Sequence, residues 1–290
     1  MRVAAIDIGT NSTRLLVADV IDESVKVAGA GLNTTRLGEG IGGGVLLPGA
    51  MERTLEAVGS FYDKSLRLGA RRVVAAATSA VRDASNRTVF LDLAKRRFGL
   101  DIWVLSGEEE AALSYRGVLS GLPLAPQSTV VVDVGGGSTE LIWNRGGSPA
   151  WVSVNAGAVR MTEAGSGEAE IAAVLRPALE EIRKFPAGCL AGVGGTITTL
   201  AAMAQGLEVY DPARVHGYCL TAEKVRHILQ KLKSLSVEER KRLHGLQPER
   251  ADIAVAGVTI VKAVLEGLGL DRLLASERDI LYGLVLEKSK

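Results

Sequence analysis

Apolar residues fall along this chain in two alternating rhythms. Short runs rich in valine, isoleucine and alanine read as strands, and longer stretches with apolar positions three and four apart read as amphipathic helices. In the first half a strand opens almost at once after Met1-Arg2-Val3, and Arg14 to Val20 and Val25 to Leu32 follow it around a turn at Asp22-Glu23. After Pro48 a helix carries Met51, Leu55, Val58, Phe61 and Tyr62 on one side. A strand at Val73 to Ala77, a helix near Asn86 to Phe98, a strand at Ile102 to Leu105 and a helix opening after Ser106 complete this half.

The second half begins in the same order. Strands are expected at Val130 to Val134, Glu140 to Trp143 and Trp151 to Val154, with Asn144-Arg145-Gly146-Gly147 as a turn. Helices near Glu168 to Lys184 and Ile197 to Gln205 bracket a strand at Cys189 to Val193, and a largely helical tail runs from about Thr221 to Glu287, broken by a short apolar run at Leu273-Leu274. Gly121, Pro123 and Pro126 cluster where the halves meet, which divides the chain into a lobe at 1–124 and a lobe at 125–290 that includes the helical tail.

Two stretches repeat each other in register. Ala5-Ile6-Asp7-Ile8-Gly9-Thr10-Asn11-Ser12-Thr13-Arg14-Leu15 matches Val131-Val132-Asp133-Val134-Gly135-Gly136-Gly137-Ser138-Thr139-Glu140-Leu141 at its Asp, Gly, Ser, Thr and Leu positions. Each follows an apolar β-rich run and leads into another, as expected of an internal duplication. Glycine and small hydroxyl residues let successive N–H groups point at an oxyanion with no Cβ in the way, and the hydroxyls add donors. A single Gly-Gly-Gly would be an ordinary turn, but two matched copies read as a pair of phosphate-binding hairpins. The aspartate before each turn would repel a phosphate, so its chemistry suits a divalent cation or that cation's waters. Asp7 has a second reading as a turn-closing Asx residue.

Bulk properties narrow the setting. The 290 residues are 47% hydrophobic, enough for two domains with real cores, and the net charge of +1 gives no sign of wholesale nucleic-acid binding, so any anion site is local. Cys189 and Cys219 form neither a disulfide framework nor a zinc pattern. No signal peptide precedes the first strand, and the run Ile253 to Leu265, interrupted by Lys262, is too short to span a bilayer. A cytoplasmic protein is expected.

Ser106 reads as a helix N-cap with Glu109 completing a capping box, and Glu108 as a further acid at the positive helix end. Glu110 points about 100° further round, toward a different face. Arginines near turns can grip phosphate bidentately, which makes Arg14, Arg36 and Arg82 candidates, each with a solvated surface role as the alternative. Arg160 and Arg250 are weaker candidates that could instead bridge the lobes. Between Glu223 and His244, Lys224, Arg226, Lys231, Lys233, Arg240, Lys241 and Arg242 outnumber the acids, and read either as a guide for a long polyanion or as a solvated helix face.

Three leading strands followed by alternation, twice over, resembles the two-lobed fold of actin, hexokinase and the large heat-shock chaperones, with Ala191-Gly192-Val193-Gly194-Gly195-Thr196 as a third glycine-rich turn. The expected fold class is therefore α/β, a duplicated actin-like (ribonuclease H-like) ATPase fold with an interdomain cleft. Thr35 to Gly40, Ala77 to Asn86, Ser106 to Ala111, Asp133 to Glu140, Gly157 to Arg160, Gly194 to Thr196 and Pro248 to Asp252 resemble the exopolyphosphatase and guanosine pentaphosphate phosphohydrolase family, in its short two-lobed form. That resemblance implies hydrolytic release of the terminal phosphate of inorganic polyphosphate, or of pppGpp, with Mg2+ or Mn2+. It makes Glu110 the catalytic base, and Asp133, Glu140 and Asp7 candidate metal ligands. Asn11, Ser12, Arg14, Arg36, Arg82, Gly135, Gly136, Gly137, Ser138, Gly195 and Thr196 become candidate substrate contacts. Expected partners are the substrate and a second copy of the chain, with no nucleic acid or membrane. The competing readings are a nucleotide-driven switch of the actin type and, with less support, a sugar kinase.

Overall fold

The computed structural model describes residues 1–185 and 187–289. They form two compact units, Met1–Ser120 with Asp279–Lys290, and Gly121–Arg278. In the first, β1 (Arg2–Ile8), β2 (Thr13–Ile21) and β3 (Ser24–Asn33) make an antiparallel meander. Its turn at Asp22-Glu23 has φ of 46° and 62°, the doubly left-handed geometry that matches strand twist in a two-residue hairpin. Then come α1 (Pro48–Arg67), β4 (Arg72–Ala77), α2 (Ser79–Asp83), α3 (Arg87–Phe98), β5 (Ile102–Val104) and α4 (Gly107–Leu119). The sheet order is β3-β2-β1-β4-β5, with β4 and β5 parallel to β1.

The second unit repeats this plan. It runs β6 (Thr129–Val134), β7 (Thr139–Arg145), β8 (Ser148–Val154), α5 (Ala158–Glu163), α6 (Glu168–Ile182), β9 (Cys189–Val193), α7 (Gly195–Ala204) and α8 (Pro212–Val215). After these follow β10 (Cys219–Thr221), α9 (Ala222–Lys233), α10 (Val237–Arg240), α11 (Ala254–Leu268) and β11 (Arg272–Ala275). The order β8-β7-β6-β9-β11 reproduces that of the first sheet, and β10 adds an antiparallel edge. Two mixed sheets of the same topology, flanked by helices, are the duplicated actin-like α/β arrangement. The strand β10 ends where the helical tail read from the sequence begins, and the Leu273-Leu274 run that breaks the tail is β11, the fifth strand of the second sheet.

Strand alternation explains the two-faced core of the first unit. Ala4, Ile6, Ile8, Leu15 and Val17 face α1 and α3, packing with Met51, Leu55, Val58, Phe61 and Phe90. Val3, Ala5, Leu16, Ala18 and Val20 point the other way, onto Leu113 of α4 and onto α12 (Ile280–Lys288) through Ile280, Leu281, Leu284, Val285 and Leu286. The sequence-based division at 124/125 thus needs correction: the boundary falls at 120/121, and the last helix belongs to the first unit. The reason is a sheet face that would otherwise be bare. A buried aliphatic side chain contributes about 1.5–3 kcal/mol, and α12 brings five of them to that face.

Small residues bring α12 against α4 backbone to backbone. A Cβ at Gly283 would lie 2.1 Å from the Leu113 carbonyl oxygen, and one at Gly117 would lie 2.0 Å from that of Asp279. No described helix is long and apolar enough to cross a membrane.

Gly283→Ala is therefore expected to destabilise the protein by about 1–3 kcal/mol or more, despite alanine's better helix propensity. Gly42→Ala, where nothing lies within 4 Å of the added carbon, should stay within about 0.5 kcal/mol. Urea unfolding midpoints of the two variants check the contrast.

Candidate active site

The two repeated turns are closed by the same bond. Gly9 N–H donates to Ser12 O at 3.0 Å, and Gly135 N–H donates to Ser138 O at 3.0 Å. In each, the carbonyls of the turn are occupied by a neighbouring segment. Thr10 O accepts from Gly38 N at 2.8 Å and Asn11 O from Arg36 N at 2.9 Å, while Gly136 O accepts from Val159 N and Arg160 N at 2.9 and 3.0 Å. Arg160 Nε donates to Gly137 O at 2.7 Å, so this arginine braces the turn of its own unit. With the carbonyls drawn to one side, the amides of 136–138 take no part in that bonding, the polarity an anion-binding turn requires. Gly157 makes the fit possible, since a Cβ there would lie 2.3 Å from Gly136.

In the first unit, Asn11 and Ser12 are buried and bonded to each other, Nδ2 to Oγ at 3.2 Å. Arg36 has a left-handed backbone, φ 51°, a strained conformation for a residue with a Cβ. The bonds from Arg36 N and Gly38 N to the turn hold it there. Thr10 Oγ1 lies 2.9 Å from Ser79 Oγ on α2, and the same helix carries Arg82, whose Nη1 donates to Glu110 Oε2 at 2.6 Å and to Leu105 O at 3.1 Å. One short helix therefore braces both the turn and the Glu110 carboxylate. Ser106 and Glu109 form the expected capping box, with bonds of 3.1 and 2.8 Å, and Glu110 is only 8% exposed. Glu109 serves the helix end and Glu110 does not.

Asp7 and Asp133 end the central strands, and their cross-strand partners differ in sign: Arg14 opposes Asp7, and Glu140 opposes Asp133. Arg14 donates to Asp7 Oδ2 through Nε at 3.1 Å and Nη2 at 2.5 Å, and through Nη1 to Asp279 Oδ2. Burial pushes the Asp7 carboxyl above the usual carboxylate range and Arg14 pulls it back only partly, because one cation is shared by two acids. Burial alone would lower the Arg14 guanidinium's pKa; the two carboxylates outweigh it and leave it raised. The Asx reading of Asp7 is corrected here, since a backbone bond closes the turn and the Asp7 carboxylate bonds to Arg14. Its Oδ1 is buried with no hydrogen-bond partner.

Directly opposed strand residues share a face, so Asp133 and Glu140 sit side by side. Glu140 is 1% exposed and accepts from Ser153 Oγ at 2.7 Å. Among the described residues no three His, Cys, Asp or Glu groups converge as a metal cage. Two carboxylates fit magnesium, which binds through one or two of them and takes water or phosphate oxygens for the rest. Gly194, φ 87°, passes close to Asp133, where a Cβ would lie 2.9 Å from Oδ1. Gly195 carries the Arg250 guanidinium against its Cα, and Thr196 packs close to Gly257 on α11. Ser138 is 2% exposed at the end of the turn.

Arg250 and Asp279 are the residues sequence reading undervalued or missed. Neither is close in sequence to the residue it meets, Gly195 for Arg250 and Arg14 for Asp279, and only the packing of β11, α11 and α12 brings them in. The basic stretch of α9 and α10 is largely committed locally. Lys224 donates to Tyr218 Oη at 2.7 Å, Arg240 to Leu232 O at 2.7 Å, Lys241 pairs with Glu238, and Lys233 pairs with Glu168. That bonding favours the structural reading of this stretch over a guide for polyanions.

The sequence profile of the Ppx/GppA phosphatase family matches residues 4–290. "Exopolyphosphatase 2" of Mycobacterium tuberculosis is 35% identical, with 98% of each chain covered. A "Guanosine-5'-triphosphate,3'-diphosphate pyrophosphatase" of Vibrio atlanticus is 30% identical over 98% of this chain and 58% of its own. Among solved structures, the Aquifex aeolicus Ppx/GppA family member is 32% identical with a TM-score of 0.83, covering 100% of this chain and 97% of its own. An exopolyphosphatase from Cytophaga hutchinsonii is 26% identical with a TM-score of 0.91, covering 100% and 99%.

Glu168 offers a test of the charge pairing. Hydrogen bonds from Lys233 and Lys262 lower its pKa to about 2, against 4.5 unperturbed. A depressed carboxylate stabilises the fold in full above about pH 4.5 and loses that contribution as pH falls toward 2. Because the side chain is 40% exposed, screening limits the effect. Glu168→Gln should cost no more than about 1 kcal/mol at pH 7 and progressively less as pH falls from about 4.5 toward 2, by urea unfolding across that range; a pH-independent difference would remove the electrostatic explanation.

Proposed function

The chain belongs to the Ppx/GppA phosphatase family, and from that premise we propose that it is an exopolyphosphatase, releasing terminal orthophosphate from inorganic polyphosphate. The observation that carries this reading is the pair of turns closed by identical bonds, joined in the first unit to a buried glutamate fixed by Arg82. End-to-end similarity to a protein named exopolyphosphatase supports the choice of substrate.

Phosphoryl transfer depends mostly on positioning and charge neutralisation. Glu110 would orient and polarise a water for attack on the terminal phosphorus, accepting its proton as the bond to the leaving phosphate breaks. Arg82 keeps the carboxylate in one rotamer. Amides of 136–138 and the Ser138 hydroxyl would donate to phosphate oxygens, as would Asn11 and Ser12 of the first turn, and Arg36 is a further phosphate contact. Gly195 and Thr196 line the third glycine turn for the same role. Asp133 and Glu140 of the second unit would hold Mg2+ or Mn2+, and Asp7 of the first unit is the remaining candidate ligand. When bound, such an ion neutralises phosphate charge.

The runner-up is pppGpp 5'-phosphohydrolase, favoured by the likeness to the Vibrio protein. One assay separates the readings: phosphate release from long polyphosphate, tripolyphosphate, pppGpp and ATP, each with and without magnesium. Release from polyphosphate with no nucleotide present excludes an actin-type switch. The reading includes a cytoplasmic setting and a homodimer, the latter measurable by sedimentation.

Glu110→Gln is expected to keep the fold and lower turnover by about two orders of magnitude or more, the scale of losing a positioned base. Near-normal turnover would reject Glu110. Asp133→Asn and Glu140→Gln should each raise the magnesium concentration needed for half-maximal rate, because a neutral ligand attracts a hard cation far less. Full activity in excess chelator would reject metal dependence, whereas an unshifted titration in both variants would reject only these ligands.

A further inference from the structure

Asp279 stands outside the repeated turns, outside the glycine-rich motifs and outside every candidate read from the sequence. It is 4% exposed and begins the last helix. Its two oxygens have separate tasks: Oδ1 accepts from Leu281 N at 3.0 Å, capping α12, and Oδ2 accepts from Arg14 Nη1. The backbone is anchored as well, because Gly117 of α4 lies so close that an added Cβ would meet the Asp279 carbonyl at 2.0 Å. Gly117 follows Glu110 by two helical turns, so the two lie on one face of α4.

Arginine has five N–H donors in a planar fork. In Arg14 one is spent on Asp279 and two on Asp7, each acid holding one edge of the plane. Two donors are left, one on Nη1 and one on Nη2, and 25% of the side chain is accessible. A guanidinium held on two edges is fixed in orientation, and its remaining donors suit two oxygens of one phosphate. Arg14 would not be so fixed by Asp7 alone.

We propose that Asp279 is a positioning residue that acts through Arg14, locking the guanidinium so that its two unspent N–H groups are presented to a phosphate of the substrate. The inference rests on the phosphohydrolase reading for its substrate class. It also gives the last helix a part in the site: α12 carries the Asp279 clamp and packs on the helix that carries Glu110.

The test separates clamping from capping, since asparagine caps a helix about as well as aspartate but brings no charge to Arg14. Asp279→Asn, Asp279→Ala, Arg14→Gln and the Arg14→Gln/Asp279→Asn double variant are compared by thermal melting and by tripolyphosphate hydrolysis. Asp279→Asn should melt close to wild type and raise KM about tenfold, with kcat changed less than about twofold, within what misplacing a binding group costs. Adding it to Arg14→Gln should raise KM no further. An unchanged KM in Asp279→Asn, or a KM rise that multiplies in the double variant, overturns the proposal; so does an Asp279→Ala protein that melts early but keeps a normal KM. If wild type releases phosphate from no substrate, the functional reading fails. Calorimetric binding of tripolyphosphate then decides, with about tenfold weakening expected in Asp279→Asn and an unchanged affinity, or no binding by wild type, overturning the clamp.

Discussion

A carboxylate at the inner end of a buried strand has to be compensated, and this chain has one at the end of each central strand. The two units meet that constraint differently. In the first, cross-strand Arg14 answers Asp7 and is itself shared with Asp279. In the second, the residue opposite Asp133 is Glu140, so the hairpin gathers negative charge, which is the basis for the proposed cation there. Duplication supplied two equivalent turns. One change of sign at the same position gave them unequal chemistry.

Each turn is shaped by what binds its carbonyl side. The 35–38 segment does this for the first turn and the start of α5 for the second, and both leave the amide side of the turn out of that bonding. The strained backbone at Arg36 and the close approach of Gly157 are local costs of holding those carbonyls. α2 then joins the first turn to Glu110 through Ser79 and Arg82. A buried carboxylate bonded at 2.6 Å to a guanidinium has little freedom to rotate, which is what a water-orienting group needs.

Much of this was legible in the chain. The strand order, the repeated Asp-to-Leu register and the Ser106 to Glu109 capping box are local patterns. Each rests on a period or spacing shorter than one supersecondary unit, so sequence alone determined them: two α/β halves of one plan, two matched glycine-containing turns, and a glutamate left over after the cap was satisfied.

Tertiary structure decided which distant residues complete those patterns. Nothing near Asp7 foretells that its arginine is shared with Asp279, because that meeting depends on α12 crossing back to cover Val3, Ala5, Leu16, Ala18 and Val20. Likewise Arg250 reaches Gly195, and Glu168 takes up Lys233 and Lys262, only once helices far apart in sequence are packed. Hydrogen bonding and apolar period are written residue by residue, whereas the partner of a buried charge is chosen by which surfaces must be covered, and that is a property of the folded whole.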